Sequence, residues 1–322
     1  MMFGAWGNPD HDDSIRIIHR ALDAGINFID TADVYGQGES EEIVGKALAG
    51  GRRDNVFLAT KFHNAMGDDP NQQGNSRRWI MRAVEDSLLR LGTDWIDLYQ
   101  VHRADPSTDI EETLGALTDL VHAGKVRYIG HSTFPASQMV EAQWAARERG
   151  LQRFVTEQPP YSMLVRAAEA DVLPTCLRHG MGVMSYSPLT GGWLSGRWRK
   201  ETGQQSSSRA GRLPERFDLD NPYNQRKLEA VEELAQLADE TGVTLIQLAI
   251  AFVLSHRAIT AALIGPRTME QLESQLAAAD ITLDDAVLDR IDEIVPPGIT
   301  INPADNSFAN PALEPAARRS PR

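Results

Sequence analysis

Cysteine is nearly absent from this chain of 322 residues, where Cys176 stands alone. A single thiol closes no internal disulfide and offers no thiolate cluster for zinc, so a reducing compartment is expected. There is no apolar run of about 18 residues, the length that spans a bilayer. The first residues, MMFGAWGNPDHDDS, lack the basic and apolar blocks of a secretion signal. A cytoplasmic location without a membrane partner is expected. Positive charge is also scarce: 32 Lys and Arg face 45 Asp and Glu, for a net charge of −13. That balance sets aside nucleic acid and anionic bilayers as partners. No G-x-G-x-x-G occurs, which removes the usual turn of an open dinucleotide-binding sheet.

What is present is an alternation of short apolar runs with segments of helical period. The runs INFID from Ile26, NVFLAT from Asn55, WIDLYQV from Trp95, VRYIG from Val126, RFVTEQ from Arg153, MGVMSY from Met181 and ITAALIG from Ile259 read as strands. Helical segments separate them, several closing on Gly as a C-cap would. Continuous apolar strands joined by helices imply a parallel sheet covered on both faces. The fold class expected is α/β, a single (β/α)8 TIM barrel over residues 1–298. Seven runs leave it one strand short, and only MMFGAW remains, so the first strand reads as truncated. A Gly-, Ser- and Arg-rich connection over about 187–222 is far longer than an ordinary link. The Pro- and Asn-rich segment 299–322 has the composition of a mobile tail.

Active-site groups in such barrels stand at the C-terminal ends of the strands. Asp30 closes NFID, Lys61 follows FLAT, His102 follows LYQV, and Tyr35 lies in the loop after the first of these. Each has an ordinary explanation taken singly: a turn cap, a solvated strand end, half-buried packing, a satisfied core histidine. Their placement at consecutive strand ends points instead to one rim. A phenol has a pKa of about 10 and needs its anion stabilised to exchange protons near neutrality. A lysine about 4 Å away supplies roughly 4 kcal/mol at an effective dielectric of 20, before desolvation is subtracted. Asp30 would keep that lysine charged, and His102 would hold the oxygen receiving the proton. His63, His102, His131 and Asp30 invite a metal reading, but no H-x-H pair follows an early strand, and no metal is expected.

With these residues stand the motifs GINFIDTADVYG, FLATK, DLYQVHR, YIGHSTF, EQPPYS, SYSPLTGGWLSGRW and ALIGPRTMEQLESQL. In this order and spacing the chain resembles the aldo-keto reductase family over essentially its full length. Within that family it is most similar to the branch of voltage-gated potassium channel β subunits and related bacterial oxidoreductases. The resemblance implies an NADPH/NADP+ cofactor, with NADH less favoured, and a small-molecule carbonyl substrate. Asp30, Tyr35, Lys61 and His102 would form a tetrad with Tyr35 as general acid and base. Ser132, Thr133 and Gln158 match holders of the carboxamide, and Tyr186 the ring stacked on the nicotinamide. Ser187, Pro188, Leu189, Gly191, Arg197 and Arg209 fall in a pyrophosphate strap; Gly265, Arg267, Gln271, Ser274 and Gln275 fall where the adenosine end is gripped. Trp6, His131, Phe134 and Trp193 are expected to face the substrate. A nucleotide-bound regulatory or scaffold subunit is the alternative function, and no helix face announces an oligomer.

Overall fold

The computed structural model describes residues 1–203, 205, 208–307 and 315–319. All seven apolar runs form strands: β1 (Phe28–Asp30), β2 (Phe57–Phe62), β3 (Ile96–Val101), β4 (Val126–Ser132), β5 (Thr156–Gln158), β6 (Gly182–Tyr186) and β7 (Ala261–Leu263). They lie side by side in chain order, each pair parallel. Parallel neighbours require crossovers. Helices Glu39–Leu48, Arg77–Leu91, Ile110–His122, Ala136–Arg149 and Val172–His179 provide the first five, and Pro222–Thr241 with Leu245–Ser255 the sixth. Residues Gly92, Gly150 and Gly180 close three of these helices in the left-handed conformation, as the sequence pattern predicts. No single described helix is long and apolar enough to cross a membrane.

Side chains alternate between the two faces of each strand. Leu58, Tyr99, Val101, Ile129 and Val183 pack outward against the helices, whereas Ala59, Leu98 and Met184 form a small inner core. The interior is narrow. A Cβ on Gly130 would come within 2.0 Å of Thr156 Oγ1, so only glycine lets β4 approach β5 there. Above the inner apolar layer, toward the C-terminal ends, the polar residues Asp30, Lys61, Gln100 and Gln158 meet one another by hydrogen bonds.

The sheet curls into a nearly closed barrel ringed by helices. Among the described residues the fragment MMFGAW pairs with neither β1 nor β7. It folds instead into a small turn in which Phe3 bridges to Asn8 and the N–H of Asn8 donates to Met2 O at 2.9 Å. That turn spans the gap through side chains. Ala5 N donates to Glu39 Oε2 at 2.6 Å, Asn8 Nδ2 to Arg267 O at 3.0 Å, and Met2 packs so closely over Gly265 that a Cβ there would lie 2.8 Å from its Cγ.

The start of the expected tail is fixed to the barrel. Thr300 bridges to Val165, and Arg166 N donates to Ile299 O at 3.0 Å. Lys227 Nζ reaches Asp305 Oδ2 at 2.9 Å and lies 4.3 Å over the ring of Trp193, while Asn302 Nδ2 donates to Asn224 Oδ1 at 2.8 Å. Both ions are buried. Residues 308–314 and 320–322 of the tail lie outside the described residues. Removing one partner of a buried ion pair costs about 3–5 kcal/mol, so Asp305→Ala is expected to release 299–307 before the barrel itself. Hydrogen exchange should then accelerate in 299–307 and not in β2 or β3; unchanged exchange would place the anchor elsewhere.

Candidate active site

The four ionisable groups expected at one rim come together there. Lys61 Nζ donates to Asp30 Oδ2 at 2.5 Å and to Thr31 O at 2.9 Å. The other carboxylate oxygen, Oδ1, accepts from Gln158 Nε2 at 2.9 Å and Gln100 Nε2 at 3.1 Å. Lys61 is 0% exposed, so its ammonium lives on these contacts. It lies 5.2 Å from the centre of the Tyr35 ring, and the Tyr35 and His102 rings meet edge to face with centroids 5.6 Å apart. His102 is placed by strand parity, two residues beyond the inward Gln100, and by its N–H bond to Phe62 O.

Electrostatics divide the four. Burial lowers the affinity of Lys61 for its proton, but the carboxylate of Asp30 outweighs it, with Tyr35 beside the pair, and the ammonium is held above its ordinary value. Tyr35 differs from the expectation of a lysine-stabilised phenol. Burial raises it, the opposing pull of Lys61 is smaller, and the phenol remains protonated above its ordinary range. His102 is held well below the usual imidazole value, first by burial and then by the charges of Lys61 and Arg103. It is therefore neutral. Asn64 Nδ2 donates to His102 Nδ1 at 3.0 Å, which leaves the ring proton on Nε2.

A cavity of about 900 Å³ opens at this rim. Its wall carries Asp30, Tyr35, His102, Ser132, Gln158, Tyr186, Ser187, Pro188, Leu189, Gly191, Arg197, Arg209, Gly265, Arg267, Gln271, Ser274, Gln275 and Trp6. Thr133 sits just behind it, its Oγ1 3.4 Å from Tyr186 Oη, while Ser132 Oγ donates to Gln158 O at 2.9 Å. Thr133 and Ser187 hold φ of 56° and 60°, a left-handed backbone that costs non-glycine residues energy and concentrates at functional sites. The side chain of Gln271 is engaged locally, accepting from Arg267 N at 2.9 Å.

Three residues expected to face the substrate lie elsewhere. His131 is on the outer face of β4, 0% exposed, paired with Glu157 and stacked on Phe134 at 4.4 Å. Phe134 continues that packing against Phe154. Trp193 is stacked on Trp198 at 4.1 Å, and its Nε1 donates to Arg216 O at 3.1 Å. For His131 the reason is parity: with Ser132 turned inward, its chain neighbour must turn outward. Among the described residues no three His, Cys, Asp or Glu side chains converge on a metal-sized site.

Sequence reasoning missed several members of the site. Gln100 could have been found as a polar residue of inward parity within an apolar strand. Asn64, Arg103, Arg212 and Arg216 carry no such local mark. Arg103 Nη1 donates to His102 O at 2.7 Å and Thr133 Oγ1 at 3.3 Å, and Arg212 lies 5.4 Å over the ring of Trp6.

The chain is similar along most of its length to proteins of known family. It is 39% identical over 307 residues to the uncharacterized oxidoreductase YrpG of Bacillus subtilis, covering 92% of this chain and 90% of that protein. It is 38% identical to the aldo-keto reductase YhdN of the same organism, covering 96% and 86%. A probable voltage-gated potassium channel subunit beta of Arabidopsis thaliana is 36% identical, with 92% of each chain covered. The model of the aldo/keto reductase family matches residues 1–296, and the chain belongs to that family.

Proposed function

We propose that this protein is an NADPH-dependent reductase of aldehydes or ketones in which Tyr35 delivers the proton. The observation that carries the reading is the convergence of the buried Lys61 and Asp30 pair, the phenol of Tyr35 and the neutral His102 on one cavity. The donor set suits a nicotinamide dinucleotide. Gln158 and Ser132 offer polar atoms beside Tyr186 at the inner end, and Arg197, Arg209, Arg212, Arg216 and Arg267 line the remainder. Arginine forks match phosphate oxygens, which favours NADPH over NADH.

The bound cofactor would supply hydride to the carbonyl carbon. The chain's own residues handle the proton and the geometry. His102, with its proton on Nε2, donates a hydrogen bond to the carbonyl oxygen and orients it. Tyr35 passes its phenolic proton to that oxygen, and Lys61 stabilises the phenolate left behind. Asp30 keeps Lys61 charged throughout. The relatives named as channel subunits support a second reading, a nucleotide-bound regulatory subunit, but the complete tetrad favours turnover.

Tyr35→Phe is expected to leave NADPH binding, followed by quenching of Trp fluorescence, nearly intact while reduction falls by roughly 10²- to 10⁴-fold; undiminished reduction would remove Tyr35 from its role. Binding of NADPH with no turnover of any small aldehyde by the unaltered protein would favour the regulatory reading. Because the phenol sits above its ordinary value and His102 far below its own, kcat/KM for reduction should be flat from roughly pH 6 to 9. Alcohol oxidation, which needs the phenolate, should rise with pH over the same span. A reduction rate that falls between pH 7 and 8 would contradict this assignment. Arg267→Met should raise the Kd for NADPH by roughly tenfold and that for NADH less, and equal effects on both would move the 2′-phosphate contact to another arginine.

A further inference from the structure

The arginines of the cavity wall fall into two groups. Arg209, Arg212 and Arg216 line the cavity from the connection 187–222 and Arg267 from the segment after β7. Cofactor phosphates would occupy them. Arg103 is apart: its charge acts on Tyr35 and His102 at the tetrad end.

Its contacts there are incomplete. Nη1 donates to His102 O, Thr133 Oγ1 and Ser132 Oγ at 2.7, 3.3 and 3.5 Å. All three acceptors are uncharged, and among the described residues no carboxylate pairs with Arg103. With Nη1 tied down, the Nε and Nη2 edge of the guanidinium keeps two parallel donors, the arrangement that grips a carboxylate through both oxygens. The cavity offers little competition. Its acidic residues are Asp30, Asp305 and Glu270, of which the first is held by Lys61 and the second by Lys227. In a chain of net charge −13, an unpaired guanidinium beside the proposed carbonyl site marks a preference for an anion.

We infer that Arg103 determines specificity, selecting carbonyl substrates that carry a carboxylate a few bonds from the carbonyl group. The inference rests on the proposed carbonyl reduction and extends it to a substrate class. His102 and Tyr35 engage the carbonyl oxygen while Arg103 holds the acidic end. Lysine at this position would keep the charge without the fork.

The test compares 4-oxobutanoate with butanal, matched in chain length and differing in the acid. The unaltered protein with NADPH should favour 4-oxobutanoate in kcat/KM. Arg103→Met should lower that preference by roughly 10- to 100-fold, chiefly through KM, and Arg103→Lys should recover part of it. A preference that Arg103→Met leaves in place overturns the inference, as do equal losses for both aldehydes, which would make Arg103 a support for Ser132 and Thr133 only. Calorimetric titration of 4-oxobutanoate into the protein with NADP+ reads the contact without turnover. Weaker binding to Arg103→Met than to the unaltered protein supports the anion site even if neither aldehyde is reduced, a result that would sink carbonyl reduction alone. Equal binding overturns it.

Discussion

The rim of this barrel depends on the ion pair between Lys61 and Asp30. An ammonium with no exposed surface survives only with a partner, and the partner must stand within reach on the neighbouring strand. Parallel pairing of β1 with β2 sets Asp30 opposite Ala59, two residues before Lys61, and the long lysine side chain reaches back to it. The spare carboxylate oxygen then draws Gln100 and Gln158 inward from β3 and β5. All four residues come from strands β1 to β5, which pair in unbroken succession, whereas among the described residues no ladder joins β7 to β1. Among the described residues the polar layer is thus assembled from seven strands, while contacts from residues 1–8 span the gap.

The same burial that makes the pair necessary decides the state of its neighbours. A lysine beside a phenol suggests a depressed acid, yet Tyr35 is raised because loss of water disfavors its anion more than Lys61 favours it. His102 follows the same rule with the opposite sign and stays neutral. A protonated phenol and a neutral imidazole suit a carbonyl that must gain a proton. In the proposed reduction, one desolvated pocket would thus prepare both a donor and a hydrogen-bonding orienter.

Charge on the whole molecule and charge in the cavity oppose one another. The chain carries 13 more acidic than basic side chains, but the cavity wall gathers arginines from the connection 187–222, from the segment after β7 and from the end of β3. The C-terminal segment joins this wall through Asp305 and Ser307. Its anchor, Lys227, comes from the helix Pro222–Thr241 and also touches Trp193. The expectation of Trp193 against the substrate fails for this reason: its ring is the floor under that ion pair and is sealed by Trp198 and Phe217.

Much of the fold was legible locally. Strand runs, helix ends and inward parity are written in periods of two and of about 3.6 residues, so seven strands and the rim positions of Asp30, Lys61 and His102 could be placed from the sequence. The same rule, applied to His131 beside the inward Ser132, would have turned it outward as well. Asn64 against His102, Arg103 against Thr133, and residues 299–307 against the barrel were not legible. Each joins side chains whose meeting depends on the path of a loop, and loop paths carry no periodicity. The sequence alone determined which strands form and which groups reach the rim, because alternation acts within a few residues. Only the tertiary structure decided their protonation and their partners, because those follow from how much water the whole assembly excludes.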